Sequence, residues 1–271
     1  MQHNQKIIPE PKIIPDLEII PIPAFEDNYI WLMHNGKHAI VVDPGDAAPV
    51  FNALQRANLS LSVILITHHH PDHIDGVAAL LEKYPHAKIY APKLEQYAFE
   101  HTPVGEPDVI YVQEFDLNFT VLDVSGHTIG HIAYYAEQAD SNHLLFSGDV
   151  IFGAGCGRVP EGSYAPAYQS LQKLAALPKK TKVYCTHEYT LTNIQFALTL
   201  EPNNQALVER LSQTQKLRDL GRPSLPTTIA FELATNPYLR CNSHEIQTTL
   251  RAKNLDEFKI FFIIRKLKNN Y

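Results

Sequence analysis

The chain has few cysteines. Its 271 residues include only three, Cys156, Cys185 and Cys241, and they are widely separated. Small secreted domains that depend on disulfide bonds carry more cysteines at closer spacing. We therefore expect a protein with reduced thiols that works in the cytoplasm.

Long apolar runs are also missing. No stretch approaches the ~20 apolar residues that a membrane-spanning helix needs, so we expect no membrane association. Residues 1–16 are polar and interrupted by prolines, unlike a signal peptide, and we interpret them as a flexible N-terminal arm. With 45% hydrophobic and 19% charged residues, the composition is that of a packed globular protein.

Positive charge is scarce in the first 190 residues, which carry 12 Lys and Arg against 22 Asp and Glu. This balance, with a net charge of −6, argues against a nucleic-acid partner. Residues 191–271 carry 11 cations against 7 acids, and the last stretch has only cations: Lys259, Arg265, Lys266 and Lys268. A solvated helix end and a small anion-binding surface both account for this tail, and charge alone leaves the choice open.

The patterning changes along the chain. Over residues 17–189, short apolar stretches rich in Val, Ile, Leu and Tyr alternate with helical stretches, which predicts a layered α/β (α+β) domain. The predicted strands are 29–33, 38–42, 61–67, 88–91, 117–124, 132–136, 144–147 and 182–185, and the predicted helices are 49–57, 77–83, 94–99 and 166–177. Four helical stretches (191–200, 205–220, 243–253 and 255–268) then predict a helical C-terminal domain over residues 190–271.

One predicted strand runs directly into the segment Thr67-His68-His69-His70-Pro71-Asp72-His73. Alternate residues of an extended chain share a face, so His68 and His70 are expected to point to one side and His69 away from it. Asp72 and His73 continue around the turn toward a second position nearby. Imidazole and carboxylate groups are ligands that suit zinc, iron and manganese.

Three further strand ends carry the same residue types. His127 follows one strand in Ser-Gly-His, Asp149 follows another in Ser-Gly-Asp, and His187 follows a third in Cys-Thr-His. Each of these side chains alone would more often be an ordinary polar residue. Together with the histidine-rich segment, they predict a metal site at one edge of the sheet.

The pattern T-H-x-H-x-D-H, followed by a later His, a Gly-Asp and a final His, resembles the metallo-β-lactamase superfamily. The resemblance implies a four-layer αββα sandwich with a two-metal site at one edge. In this scheme His68, His70 and His127 hold the first divalent transition metal, Asp72, His73 and His187 hold the second, and Asp149 bridges them. Asp72 and Asp149 become the catalytic residues, with a hydroxide shared by the metals as nucleophile. Zinc is the expected metal, with iron or manganese as alternatives.

A narrower resemblance covers the chain from Leu17 onward. The segments 22–31, 155–158, 186–190, 201–204 and 236–240 are similar to glyoxalase II, the hydroxyacylglutathione hydrolases. The resemblance implies a thioesterase acting on S-(2-hydroxyacyl)glutathione, such as S-D-lactoylglutathione, in methylglyoxal detoxification. It further implies that Arg158, Tyr189, Arg265 and Lys268 bind glutathione. The chain departs from the family where Pro160 replaces a frequent aromatic residue and Asn269 replaces a common acid.

Several alternatives stay open. A persulfide dioxygenase would share the fold but use one iron, a lactonase or RNA-processing hydrolase would share the metal set, and a scaffold protein would be non-catalytic. Asp43 either orients a ligand histidine or forms a turn. Cys156 is either close to the site or an inert buried thiol. We expect a monomer.

Overall fold

A computed structural model describes residues 17–139 and 142–271, so the expected N-terminal arm lies outside the described residues. The first of its two large sheets has six strands in sequential order. β1 to β3 are antiparallel, and β3 to β6 are parallel. The strands are β1 (Glu18–Ala24), β2 (Asn28–His34), β3 (His38–Val42), β4 (Ser60–Leu65), β5 (Lys88–Pro92) and β6 (Thr102–Val104).

The second large sheet has the order β14-β13-β10-β9-β8-β7 and is antiparallel except between β10 and β13. A short hairpin of β11 and β12 lies between β10 and β13 in the chain. The strands are β7 (Val109–Val112), β8 (Leu117–Asp123), β9 (Ile132–Ala136), β10 (Leu144–Gly148), β11 (Ile151–Phe152), β12 (Gly155–Cys156), β13 (Lys182–Cys185) and β14 (Thr227–Thr228).

Nine α-helices occur in the described residues. They are α1 (Ala47–Arg56), α2 (Pro71–Ile74), α3 (Val77–Lys83), α4 (Tyr164–Ala175), α5 (Thr190–Leu200), α6 (Gln205–Asp219), α7 (Ile229–Thr235), α8 (His244–Thr249) and α9 (Glu257–Lys268). Side-chain caps begin several of them: Asp46 accepts from Ala48 N, and Asp256 accepts from Lys259 N. Of these helices, none combines the length and the apolar character that crossing a membrane requires.

The hydrophobic core has three layers. Large side chains such as Trp31, Phe119 and Phe146 fill the space between the two sheets. Helices α1 and α3 cover the outer face of the first sheet, and α4 and α9 cover the outer face of the second. The observed layering is therefore helix, sheet, sheet, helix, which confirms the predicted αββα architecture with a helical C-terminal region.

The C-terminal region is attached both to the second sheet and to the β11–β12 hairpin. Strand β14 pairs antiparallel with β13, with Thr228 opposite Lys182. In addition, the buried Glu232 on α7 forms an ion pair with Arg210 at 2.7 Å. Its carboxylate also accepts a hydrogen bond from the backbone N–H of Ala154 at 2.8 Å. These contacts hold the β11–β12 hairpin, which lies beside the candidate site.

Several parts of the chain differ from the predicted elements. The strands β6, β7, β11, β12 and β14 and the helices α2 and α7 have no predicted counterpart. Residues 94–99 form turns and bends, not the predicted helix, because Glu95 is drawn inward to accept hydrogen bonds from Tyr97 and Thr128. β1 escaped prediction because Pro21 and Pro23 interrupt its pattern. Prolines are tolerated there because β1 is an edge strand, where unused N–H positions face outward.

Candidate metal centre

The candidate site lies where four loops leave the sheets, after β4, β8, β10 and β13. Backbone hydrogen bonds fasten two of these loops to neighbouring strands: Ile132 N on β9 donates to Thr67 O at 3.0 Å, and Tyr29 N on β2 donates to Thr186 O at 2.6 Å. The loops therefore converge on one edge of the sandwich, because neighbouring strands end there together.

The first donor group consists of three histidines. Nδ1 of His70 lies 3.1 Å from Nε2 of His68 and 3.0 Å from Nε2 of His127. His68 is fully buried, whereas His70 and His127 are partly exposed to the cleft. Three ring nitrogens thus face a single point.

The second donor group is supplied by helix α2 and the loop after β13. Pro71 occupies the first position of α2, and the helical turn brings Asp72 and His73 to the inner side. Oδ2 of Asp72 lies 3.6 Å from Nε2 of His73 and 3.5 Å from Nε2 of His187. One carboxylate and two imidazoles therefore form a second cluster beside the first.

Asp149 lies between the two groups. Its Oδ2 is 3.5 Å from Nε2 of His127 and 3.3 Å from Nε2 of His187, and its Oδ1 is 3.6 Å from Nε2 of His73. The preceding Gly148 has a φ of +49°, and a Cβ there would collide with Thr67 Oγ1 and the His131 ring. A glycine is required at this turn so that Asp149 can reach both groups.

Each histidine of the two groups also has a possible acceptor within 3.1 Å of its outer nitrogen. A metal-binding imidazole offers one nitrogen inward, and the acceptor on the other nitrogen fixes its tautomer and orientation. The outer acceptors are Thr67 Oγ1 for His68 (3.1 Å), Glu161 Oε1 for His70 (3.1 Å), Asp43 Oδ2 for His73 (3.0 Å), Arg158 O for His127 (3.0 Å) and Asp27 Oδ1 for His187 (2.7 Å).

Sequence patterns left the role of Asp43 open and missed that of His131. Asp43, at a φ of +53°, accepts from Thr67 N and Thr67 Oγ1 at 2.8 Å and faces His73, so it orients that ligand candidate as well as forming the turn. His131 received no predicted role. Its buried ring stacks on His68 at 4.6 Å and accepts from Asp149 N at 3.1 Å. Its position four residues after His127 was the available signal.

The residues present fit divalent metals. Nε2 of His73 and Oδ1 of Asp149 are buried, and neither has a hydrogen-bond partner in the described residues, which is costly unless a cation satisfies them. Burial, together with His73 and His131, lowers the pKa of His68 well below its ordinary value. Burial opposes ionisation of Asp149, but His187 and His73 hold its pKa below the ordinary value. Neutral imidazole and ionised carboxylate are the forms that bind metals.

A cleft of about 630 Å³ opens from the donor groups toward the helical region. Its wall includes donor residues at one end, namely His70, Asp72, His127, Asp149 and His187. Its other end is lined by Arg158, Tyr189, Thr192, Asn193, Gln195, Arg265, Lys268 and Tyr271. This volume is within the range of small-molecule sites. All four side chains that were expected to bind glutathione therefore line the same cleft.

These four side chains are held very differently. Tyr189 stacks in parallel on the His187 ring at 4.8 Å, and Arg158 is exposed. Arg265 is only 4% exposed and donates from Nη1 to Cys156 O at 2.8 Å, whereas Lys268 is half-buried and donates to Thr192 O at 3.3 Å. Cys156 also lines the cleft, and burial raises the pKa of its thiol. Sequence patterns gave no role to Thr192, Asn193, Gln195 or Tyr271.

The fold and the donor groups define a class of protein. Residues 24–187 match the model of the metallo-β-lactamase superfamily. A solved structure, ETHE1 from Myxococcus xanthus, is similar in fold, with a TM-score of 0.61 at 24% identity over 93% of this chain and 97% of that one. The αββα sandwich and its edge cluster are thus those of this superfamily.

Residues 188–271 match the model described as the hydroxyacylglutathione hydrolase C-terminus. A hydroxyacylglutathione hydrolase from Methylobacillus flagellatus is 50% identical over 94% of this chain and 99% of its own length. One from Albidiferax ferrireducens is 46% identical over 94% of this chain and 100% of its own length. The chain therefore belongs to the hydroxyacylglutathione hydrolase family and is a hydrolase.

Proposed function

We propose that the chain is a binuclear metal-dependent thioesterase that hydrolyses S-(2-hydroxyacyl)glutathione, such as S-D-lactoylglutathione, to glutathione and a 2-hydroxy acid. The observation that carries this proposal is the cleft that joins the donor groups to Arg158, Arg265 and Lys268. A glutathione thioester has the matching polarity, because its reactive carbonyl is bonded to the sulfur of the central cysteine and its two carboxylates lie at the ends of the peptide. The relatives named hydroxyacylglutathione hydrolase support the same substrate.

Seven side chains would hold the metals. His68, His70 and His127 form the first set, Asp72, His73 and His187 form the second, and Asp149 is shared between them. The chemistry that two divalent cations supply when bound is Lewis-acid activation of a water molecule and of the thioester carbonyl. Zinc is the proposed metal, and iron or manganese is the alternative, since histidine and carboxylate ligands accept all three.

The protein's own part in the reaction is to orient and to accept a proton. Asp72 keeps a defined orientation because Asn28 Nδ2 donates to its Oδ2 at 2.9 Å, and Asp149 is fixed by its contacts to three histidines. In this proposal the two carboxylates align the attacking water, and Asp72, at the exposed side of the cluster, receives the proton that water loses. The leaving thiolate has a pKa of about 8.5, so its departure requires little help from a general acid.

The helical region supplies recognition of the glutathione part. Glutathione carries two carboxylates and one ammonium group at neutral pH, and guanidinium groups bind carboxylates through paired hydrogen bonds. Nε of Arg265 is buried, and no described residue pairs with it, so this residue retains donor capacity beside the cleft. Lys268 lies one helical turn further along α9 and lines the same wall.

Location and assembly are part of the proposal. All three cysteines are buried and unpaired, which supports a reducing compartment such as the cytoplasm. A complete active-site wall within one chain supports a monomer, which sedimentation of the purified protein would test.

The deciding experiment measures hydrolysis and metal content on the same preparation. We expect rapid hydrolysis of S-D-lactoylglutathione, two transition metals per chain by elemental analysis, and loss of activity on chelation. A lactone and a short RNA serve as competing substrates. Preference for either one, or full activity with one iron per chain, would contradict the proposal in favour of a lactonase, an RNA-processing hydrolase or a persulfide dioxygenase.

A further inference from the structure

The loop of residues 158–162, which follows the β11–β12 hairpin, braces two of the three histidines in the first donor group. Arg158 O accepts a hydrogen bond from His127 Nδ1 at 3.0 Å, and Glu161 Oε1 accepts one from His70 Nε2 at 3.1 Å. The loop lies close against the His127 loop, because a Cβ on Gly162 would be 2.7 Å from Gly126 O. One short segment therefore sets the orientation of both rings.

His70 differs from the other ligand candidates in the nitrogen that it presents to the cluster. Its Nδ1 is the nitrogen that faces His68 and His127, so its Nε2 must carry the ring proton whenever Nδ1 acts as a ligand. The Glu161 carboxylate, as a charged acceptor, stabilises the tautomer that leaves Nδ1 free.

Glu161 is itself approached from its other side. His69 Nε2 lies 3.4 Å from Glu161 Oε1, and His69 Nδ1 lies 3.3 Å from Glu95 Oε2. The side chain of Glu95 is 5% exposed and accepts hydrogen bonds from Tyr97 and Thr128. A chain of four groups, Glu95, His69, Glu161 and His70, thus runs from the loop after β5 to the donor cluster.

We propose that Glu161 is a positioning residue that holds His70 in the Nε2–H tautomer, with His69 and Glu95 supporting the carboxylate. The proposal rests on the metal centre of the proposed function but not on its substrate. His69, His70 and Glu161 also satisfy the distance requirements of a separate metal site. That arrangement is disfavoured, because His70 would have to give both ring nitrogens to cations and lose its remaining proton.

The first test is metal affinity, measured on the full-length, metal-loaded protein by competition with a chelator and without substrate. We expect Glu161→Ala to weaken binding of the metal that the chelator removes first, by about ten- to a hundredfold. Loss of this size is usual when the hydrogen-bond acceptor of a metal-binding histidine is removed. Glu161→Gln, which keeps the shape and a neutral acceptor, should fall between wild type and Glu161→Ala. Glu82→Ala, an exposed substitution on α3, is the control and should leave affinity unchanged.

The second test follows the ring proton directly. In the cobalt-loaded protein the N–H protons of ligand histidines give separately shifted NMR signals, and a hydrogen-bonded proton exchanges slowly with water. We expect Glu161→Ala and, to a smaller extent, His69→Ala to accelerate exchange of one such signal while the His73 and His187 signals, held by Asp43 and Asp27, stay slow.

The two tests separate positioning from mere support of the loop. Weaker metal binding by Glu161→Ala with an unchanged exchange rate of the ligand N–H signals would overturn the proposal, since the loop and not the carboxylate would then be responsible. Unchanged affinity and exchange in both variants would overturn it as well. Because neither measurement uses a thioester, a failure of the proposed substrate leaves these outcomes readable, and failure of Glu161 leaves the thioesterase proposal standing.

Discussion

At the metal end of the cleft every histidine of the two donor groups has an acceptor beside its outer nitrogen, whereas at the cationic end the two cations of α9 that line the cleft are held unequally. Arg265 is buried and bonded to Cys156 O, but Lys268 is half-buried and touches mainly Thr192 O and aromatic rings. The metal end is therefore built for fixed geometry. The cationic end combines one rigid charge with one adjustable charge, which suits a long and flexible ligand.

The largest effect is expected from Asp149→Ala, because the Asp149 carboxylate lies within 3.6 Å of histidines in both donor groups. Metal content should fall at both positions. Loss of Lewis-acid stabilisation worth several kcal/mol, at about 1.36 kcal/mol per tenfold, should lower kcat about a thousandfold. Elemental analysis and lactoylglutathione hydrolysis check this, with the exposed Asp219→Ala on α6 as control. Retention of two metals by Asp149→Ala would show that the groups are independent.

Arg265→Ala is expected to have the second-largest effect, and it should lower both kcat/KM and Tm. A lost charge-assisted hydrogen bond is worth about 1.5–3 kcal/mol, so kcat/KM on lactoylglutathione should fall about ten- to a hundredfold. The variant also leaves the buried Cys156 carbonyl without its donor, so Tm should fall by a few degrees.

Lys266→Ala is the matched control for Arg265, since Lys266 is exposed on the same helix and lies over the Tyr164 and Phe262 rings. A drop in Tm without a drop in kcat/KM would make Arg265 a structural residue only. In that case Lys268 and Arg158 would be the remaining cations for glutathione.

The role of Lys268 should appear in the pH dependence of kcat/KM on lactoylglutathione. Partial burial, together with Arg265, lowers the pKa of Lys268 to about 8, so the residue is charged below that pH and loses its charge above it. We expect kcat/KM on lactoylglutathione to decline about tenfold as pH rises through 8. A decline of this size corresponds to the free energy of one weak charge-assisted hydrogen bond. Lys268→Arg, which stays charged, should remove this decline. A neutral thioester without the glutathione part should show no difference between the two proteins.

How much could be predicted from sequence differs between the two ends. The donor side chains sit in short motifs directly after apolar strands, so strand geometry alone was enough to place them together. The burial of Arg265 was not predictable, because it depends on a contact with Cys156, which is distant in the chain. The same holds for Glu161, whose contact with His70 comes from loop packing. In the fold, β1 was hidden by its prolines, and residues 94–99 were mistaken for a helix because the inward hydrogen bonds of Glu95 leave no sequence signature.

The smallest effect on KM is expected at Tyr271. This residue tests whether aromatic contacts place the Lys268 ammonium group at the cationic end. Lys268 Nζ lies 4.7 Å from the Tyr271 ring centre and 5.0 Å from that of Phe196, so the two rings guide the ammonium group along the cleft wall. A cation–π contact at a partly exposed site is worth about 0.5–1 kcal/mol, so Tyr271→Ala should raise KM about two- to fivefold with kcat unchanged. Tyr271→Phe keeps the ring and should match wild type. If Tyr271→Phe raises KM as much as Tyr271→Ala does, the hydroxyl contacts the ligand directly and Tyr271 belongs to recognition, not to the placement of Lys268.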